Sequence, residues 1–371
     1  MSILKYSVGI DLAKASFKAC LTTIDENLIV KVKSTSTFSN SIEGFSMMIK
    51  WVAKNRKDDR PLFFLMEATG IYYEQLAWLL FKKQFNVSVI LPNKSKRYMQ
   101  SLGLKSKNDK IDAQGLSYMN AQQSLPLWEP LTESFYTLRS LTRHLESLQT
   151  NRTALNNQLH AAEHSMYNLG DLKKSLKQTI SHIDKQIKKI STQIEKMIKK
   201  DTILCEKYTK ISKVKGIGLL TFAVIAGETN GFLLFENSRQ LVSYAGYDVV
   251  ENQSGNITGK TRISKKGNSH IRRALHMPAL ITVKNNELAY KNLYERIYDR
   301  TNIKMKGYVA IQKKLLCLIY SLWKNNAEFD PEYYKRISEN QEPKSLFPVD
   351  SERILKKEVA PVKALHKMNI G

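Results

Sequence analysis

Residues 138–197 place the strongest constraint on what this chain can fold into. Leu138, Leu141, Leu145, Leu148, Leu155 and Leu159 open a run that continues through Ala162, Met166 and Leu169 in alternating steps of three and four, with Arg152 filling one core slot. Asn168, Gly170 and Asp171 interrupt it, and Leu176, Ile180, Ile183, Ile187, Ile190, Ile194 and Met197 resume it. Apolar residues at this period form a heptad seam, so two long helices are predicted, joined as a coiled-coil hairpin with its turn near Gly170. A polar residue in a core slot sets register or partner number, and Arg152 is expected to meet an acid across a subunit boundary. Such a rod separates an N-terminal region from a C-terminal one.

The N-terminal region alternates in type. Tyr6–Ile10, Ser16–Thr22 and Leu28–Ser34 have the apolar and β-branched content of strands. Helical spacing comes next over Ser41–Lys54, then an apolar strand over Pro61–Met66, a helix over Glu74–Lys83, and a strand over Val87–Leu91 that Pro92 stops. Three strands, then helix, strand, helix, strand and further helices is the order of the ribonuclease H-like fold. Asp11 ends the first apolar run and Glu67 ends the fourth. An acid at the end of a buried strand is rigidly held, as a catalytic ligand must be. Asp109 and Asp112 lie three apart in KSKNDKIDAQGLSYM, read as a helix from Lys105 to Met119, and therefore share one face. Lys105, Lys107 and Lys110 neutralise that face if nothing else converges on it. If Asp11 and Glu67 do converge, the four carboxylates suit two hard divalent cations, magnesium or manganese.

Composition narrows the partner. The 371 residues include 58 basic and 34 acidic side chains, a formal charge of +24. That imbalance argues for a polyanion, nucleic acid before membrane. Three scattered cysteines suggest a reducing compartment and no zinc site, and neither a leader nor a membrane-length apolar run is apparent, so a cytoplasmic location is expected. Between Asp171 and Lys215 lie 13 lysines and 5 acids, which suits either a solvated helix face or a nucleic-acid contact.

Behind the rod, Gly216 and Gly218 open an apolar helix after Lys210, Lys213 and Lys215. A Gly-x-Gly entry exposes backbone N–H groups to a phosphate, though a tight helix entry explains it equally well. Residues 256–273 carry six basic side chains, Lys260, Arg262, Lys265, Lys266, Arg272 and Arg273, and no acid. Ser254, Ser264 and Ser269 sit among Gly255, Gly259 and Gly267. A serine attacking a phosphodiester needs an exposing loop, nearby positive charge and something to lower the hydroxyl's proton affinity; Ser254 fits the first two, and composition alone favours a phosphate-contact loop without chemistry. Leu280–Trp323 is predicted helical with its aromatics in the core, and residues 340–371 read as a loose tail.

GIDLAKASF, MEATGIYYEQL and LKSKNDKIDAQGL resemble the three acidic motifs of the DEDD-type insertion-sequence transposases, a family related to the Piv-type invertases and the bridge-RNA-guided recombinases. VKGIGLLTFAVIAGE, LVSYAGY and QSGNITGKTRISKKGNSHIRRALHMPA are similar to that family's C-terminal transposase domain. The resemblance implies a RuvC-like ribonuclease H domain over 1–125, a coiled-coil hairpin over 130–210 and a mainly α transposase domain over 211–330. It implies that Asp11, Glu67, Asp109 and Asp112 bind magnesium and that Ser254, in QSG, links covalently to DNA. It further implies DNA as partner, a structured guide RNA, and a homo-oligomer, dimer or tetramer. Asn108 departs from the small residue more usual there. A hydrolytic RuvC-like nuclease and a site-specific invertase are the alternatives.

Overall fold

The computed structural model describes residues 2–103, 108–251, 253–254, 257–259, 261–285, 287–330 and 332. Its contacts divide the chain into two units, Met1–Pro130 and Leu131–Gly371.

In the first unit, β1 (Ile3–Leu12), β2 (Ser16–Asp25) and β3 (Val30–Ser39) form an antiparallel meander. Helix α1 (Ile42–Asn55) starts where the Ser41 side chain accepts the Gly44 N–H. It leads to β4 (Leu62–Glu67), which lies parallel to β1. Helix α2 (Glu74–Lys82), strand β5 (Asn86–Ile90), and helices α3 (Pro92–Ser101) and α4 (Asp109–Gln122) complete the unit. The sheet order is β3-β2-β1-β4-β5, as expected for a ribonuclease H-like domain. β1 is central and covered on both faces, which is why its sequence reads as a nearly continuous apolar run. β3 is an edge strand, and the exposed Lys31 and Lys33 discourage pairing with another edge. Val8 and Ile10 pack with Phe45, Met48 and Leu76 beneath α1 and α2. Leu65 and Ile90 pack with Leu116 and Met119 of α4 on the other face.

Pro92 does not stop the chain's regular structure. It occupies the first turn of α3, where its fixed φ and missing N–H suit a helix start. Helix α4 begins at Asp109 rather than Lys105, because the Asn108 side chain accepts the Ile111 N–H and caps it. Lys105 and Lys107 lie outside the described residues.

Gly9 sets the contact between α4 and the sheet. A Cβ there would lie 2.1 Å from the Ser117 backbone nitrogen and 2.3 Å from the Ala113 carbonyl oxygen. Neither is the movable end of a side chain, so only glycine lets the helix rest on the strand. Gly9→Ala is expected to destabilise the protein by about 3 kcal/mol or more, at the upper end of overpacking costs. The check is a thermal melt; an unchanged Tm would show that α4 does not bear on β1.

The second unit opens with α5 (Glu133–Glu163) and α6 (Gly170–Lys200), packed together as the two heptad runs anticipate. Met166 and Leu169, expected at the end of the first seam, lie instead in the connection, and Met166 is 91% exposed. Ser165 donates to the Tyr167 carbonyl there, turning the chain early. Arg152 is also placed differently from expectation. It is exposed and pairs with Asp184 of α6 at 2.6 Å, so its acid comes from the same chain.

Beyond the hairpin come α7 (Thr202–Ile211), α8 (Leu219–Thr229) and α9 (Ser238–Tyr244). Next are four two-residue strands: β6 (Val249–Val250), β7 (Gln253–Ser254), β8 (Ile257–Thr258) and β9 (Arg262–Ile263). The unit closes with α10 (Ser269–Ala274), α11 (His276–Lys284), α12 (Leu288–Thr301) and α13 (Lys304–Lys324). The expected helical stretch after Leu280 is thus broken, with Asn302 in the left-handed region ending α12. Leu138, Leu145, Ile190 and Ile194 share one core with Phe222, Ile271 and Trp323, so the root of the hairpin is built into this unit. Among the described residues no helix is long and apolar enough to cross a membrane. The expected tail, 340–371, lies outside the described residues.

Candidate active site

Strand register puts Asp11 and Glu67 at the same end of the sheet. The parallel β1–β4 ladder runs as far as Ile10 and Met66, and Asp11 and Glu67 follow that last pair at the C-terminal ends of the two strands. Residues in register on neighbouring strands lie about 4.8 Å apart and share a face. That face is the α4 face. Lys5 Nζ donates to the Asn120 carbonyl, Ser7 Oγ donates to the Ser117 carbonyl, and Gly9 abuts Ala113 and Ser117. Alternate residues of β1 therefore meet successive turns of an oppositely running α4. Asp11 is the next residue of β1 on that face, and the first turn of α4 holds Asp109 and Asp112.

Each acid has a distinct setting. Asp11 is half-buried, with Lys18 as its cross-strand partner on β2. Glu67 is half-buried and accepts a 2.5 Å hydrogen bond from Ser95 Oγ, whose side chain is buried on α3. Ser95 is invisible to a sequence reading because nothing in PNKSK marks a contact with a strand 28 residues earlier. Asp112 is half-buried and Asp109 exposed. Helix α4, which carries Lys110 between them, packs against β2 as well as β1. Burial raises the Cys20 thiol pKa, and hydrogen bonds with Thr35 and Ser117 together with the Lys110 charge oppose that rise. The first turn of α4 thus lies toward β2, while Glu67 is held from the other side by α3.

Four carboxylates consequently occupy one face and one end of the sheet, but they do not close on a single point. Among the described residues no three His, Cys, Asp or Glu side chains are grouped to hold a metal ion. The donor set, all hard oxygen, matches the chemistry of magnesium or manganese.

Ser254 lies in the other unit, on a small β ribbon. Val249 and Val250 pair with Ile263 and Arg262 at its root. Gln253 and Ser254 pair with Thr258 and Ile257 in a second short ladder. Arg262, Lys265 and Lys266 are exposed at the root. Lys260 lies outside the described residues. Ser264 Oγ accepts the Lys266 N–H within its own turn, and Ser269 opens α10.

Several basic residues expected to meet phosphate are engaged within the fold. Arg272 Nη1 donates to the Ala245 carbonyl at 2.8 Å, and Arg273 pairs with Glu146. Lys213 pairs with Glu328, and Lys215 with Glu287 at 2.5 Å. Gly216 has φ +86° and a Cβ there would lie 3.1 Å from Pro278, so backbone conformation and packing account for it. Gly218 is exposed at the N-cap of α8.

A buried network that no sequence motif announces anchors the ribbon's root. Glu228 is 2% exposed and accepts two hydrogen bonds from Arg143, at 2.6 and 2.8 Å. Asn268 Nδ2 donates to its second oxygen at 2.6 Å, while the Asn268 side-chain oxygen caps α10. Burial alone would raise the Glu228 pKa, but the bonds from Arg143 and Asn268 and the Arg143 charge hold it below its usual value. Removing one partner of such a pair typically costs about 3–5 kcal/mol. His270, beside it, bonds Glu146 at 2.7 Å. Burial holds His270 below its usual pKa; the Glu228 charge opposes this and Arg143 adds to it.

Two family models match the chain. Residues 8–167 match the DEDD transposase model of the IS110 group, and residues 208–295 match the transposase model of the IS116/IS110/IS902 family. The pilin gene-inverting protein of Moraxella lacunata is 29% identical over 339 residues, 90% of this chain and 99% of that protein. Its Moraxella bovis counterpart is 28% identical over 336 residues, with the same coverage. The RuvC structure of Thermus thermophilus is similar over 33% of this chain and 99% of its own, at 13% identity and a TM-score of 0.26, too low to add to the argument from strand order. With one model covering the acid-bearing sheet and the first helix of the hairpin, and the other covering the segment that holds Ser254, the chain belongs to the IS110-type transposase family.

Proposed function

We propose that this transposase cuts and rejoins DNA strands with two sets of groups, the carboxylates Asp11, Glu67, Asp109 and Asp112 and the nucleophile Ser254. What supports the reading is that Asp11 and Glu67 each follow the last paired residues of β1 and β4, on the face that α4 covers, with Asp109 and Asp112 in the first turn of that helix. The four carboxylates would hold magnesium or manganese, which supplies charge neutralisation on the phosphate and polarisation of the attacking oxygen. Ser95 orients Glu67 by its hydrogen bond, and Lys18 offsets the charge of Asp11 from the neighbouring strand. Arg262, Lys265 and Lys266 draw the phosphodiester to the serine ribbon. Ser254 Oγ then forms a bond to phosphorus as the phosphate's bond to the departing strand breaks. The serine loses its proton and the departing oxygen gains one. A structured guide RNA supplies the choice of sequence, and the protein works as a homo-oligomer.

Site-specific inversion is a second reading, favoured by relatives named as pilin gene-inverting proteins and matched over 99% of their length. Purified protein, magnesium, the element's RNA and a plasmid carrying both element ends test the proposal. Joined products that require the metal are expected. Cleaved, unjoined ends would point instead to a hydrolytic nuclease, and flipping of the segment between the ends would favour inversion.

A further inference from the structure

We propose that the outward face of α6 is a docking surface for the sugar–phosphate backbone of duplex DNA. The proposal rests on the DNA-acting reading above but not on its metal or its serine. The seam residues Ile183, Ile190 and Ile194 turn one side of α6 into the core. On the opposite side a shallow groove is lined by Lys173, Lys174, Lys177, Gln178, Ser181, His182 and Lys185. A second, sharing Lys185, is lined by Lys188, Lys189, Thr192, Gln193 and Lys196. Neither contains an acid.

Asp171 is exposed in the first turn, ahead of the first lysine of the stripe, and the other two acids of α6 are drawn elsewhere. Asp184 turns toward α5, where Arg152 holds it at 2.6 Å. Glu195 pairs with Lys199 at 2.7 Å, one turn further on. Of the stripe's lysines only Lys177 has an acidic partner among the described residues, Glu163 at 3.4 Å. Seven lysines with no interspersed acid repel one another, an arrangement that costs stability unless a polyanion meets it. The geometry identifies the polyanion. From Lys173 to Lys196 the helix advances about 34 Å, at about 1.5 Å per residue. That matches about one turn of a duplex. A rod of this length laid along a duplex crosses both backbones. Lysine is a flexible point charge suited to phosphate without base readout, so the contact is independent of sequence. A second copy of the same face is excluded as occupant by like charge.

The test is binding of the full chain, with chelator present so that no strand is cut, to a labelled duplex of about three helical turns. The variant replaces Lys185, Lys188, Lys189 and Lys196 by Gln; all four are exposed, so the fold is kept. A control removes equal charge elsewhere, at the exposed Lys31, Lys33, Lys54 and Lys57. The stripe variant is expected to bind about tenfold or more weakly, and the slope of log affinity against log salt to fall by about 2–4, at roughly 0.9 per lost phosphate contact. The control should move both far less. Equal losses in the two variants would reduce the effect to net charge and overturn the proposal. So would an unchanged affinity for DNA accompanied by weaker binding of a duplex RNA of the same length. Because the assay contains no metal, failure of the catalytic reading leaves its result untouched.

Discussion

Ser254→Ala is expected to bind DNA as the parent does and to yield no denaturant-resistant protein–DNA adduct. The covalent bond requires this one oxygen, so the loss should be complete, whereas Ser264→Ala and Ser269→Ala should retain the adduct. Their placements support the contrast. Ser264 closes its own turn through the Lys266 N–H, and Ser269 starts α10 behind the Asn268 cap. Ser254 instead lies on a short strand paired with Ile257, in a segment that begins near the Glu228–Asn268 bond and the Arg272 bond to the Ala245 carbonyl. A nucleophile must be held in place, and strand pairing does this for its backbone. Denaturing electrophoresis of protein trapped on labelled DNA makes the measurement. An adduct persisting in Ser254→Ala, or lost in Ser264→Ala alone, would move the nucleophile. If the parent joins strands without ever forming an adduct, attack belongs to a water or a strand hydroxyl.

Asp11→Asn and Glu67→Gln are expected to lower strand exchange by about 10³-fold or more, the scale on which groups acting in the transition state are lost. Both are near-isosteric, and both side chains sit at strand ends outside the main cores, so Tm should change little. Glu67→Gln keeps an oxygen for Ser95 and removes only the charge, which separates the electrostatic role from the positional one. Combining Asp11→Asn with Ser254→Ala should cost hardly more than either alone, because groups serving one step are not additive. Full activity in Asp11→Asn would remove the carboxylates from the chemistry. A product of two separate losses would show that carboxylates and serine serve different steps.

Where the sequence is informative, its signal is local. β1 and β4 are covered on both faces, so each reads as an apolar run, and the acid closing the run stands out. The hairpin is visible because its seam repeats within two helices. The features that stay hidden depend on partners far along the chain. Arg272 and Arg273 read as phosphate ligands, since a sequence displays charge but hides the Ala245 carbonyl and Glu146 that engage them. Glu228 ends an apolar helix and shows nothing of Arg143, 85 residues earlier. Gly9 looks like one more small residue until α4 is laid across it. Pro92 reads as a terminator because its effect on the strand before it is easier to see than its fitness to begin a helix.

The start of α4 also bears on when an ion must arrive. A helix's first turn carries roughly half a positive elementary charge, concentrated on its unpaired N–H groups. Asp109 and Asp112 sit in that turn, behind the Asn108 cap, so the helix itself partly offsets their charge. Small zinc domains stay unfolded until metal binds. In the proposed mechanism the sheet core and the helix end would hold the carboxylate region together before any ion binds. Magnesium is commonly held by one or two carboxylates completed by substrate phosphate. Ion capture would then coincide with DNA arrival, and idle copies would leave the genome uncut.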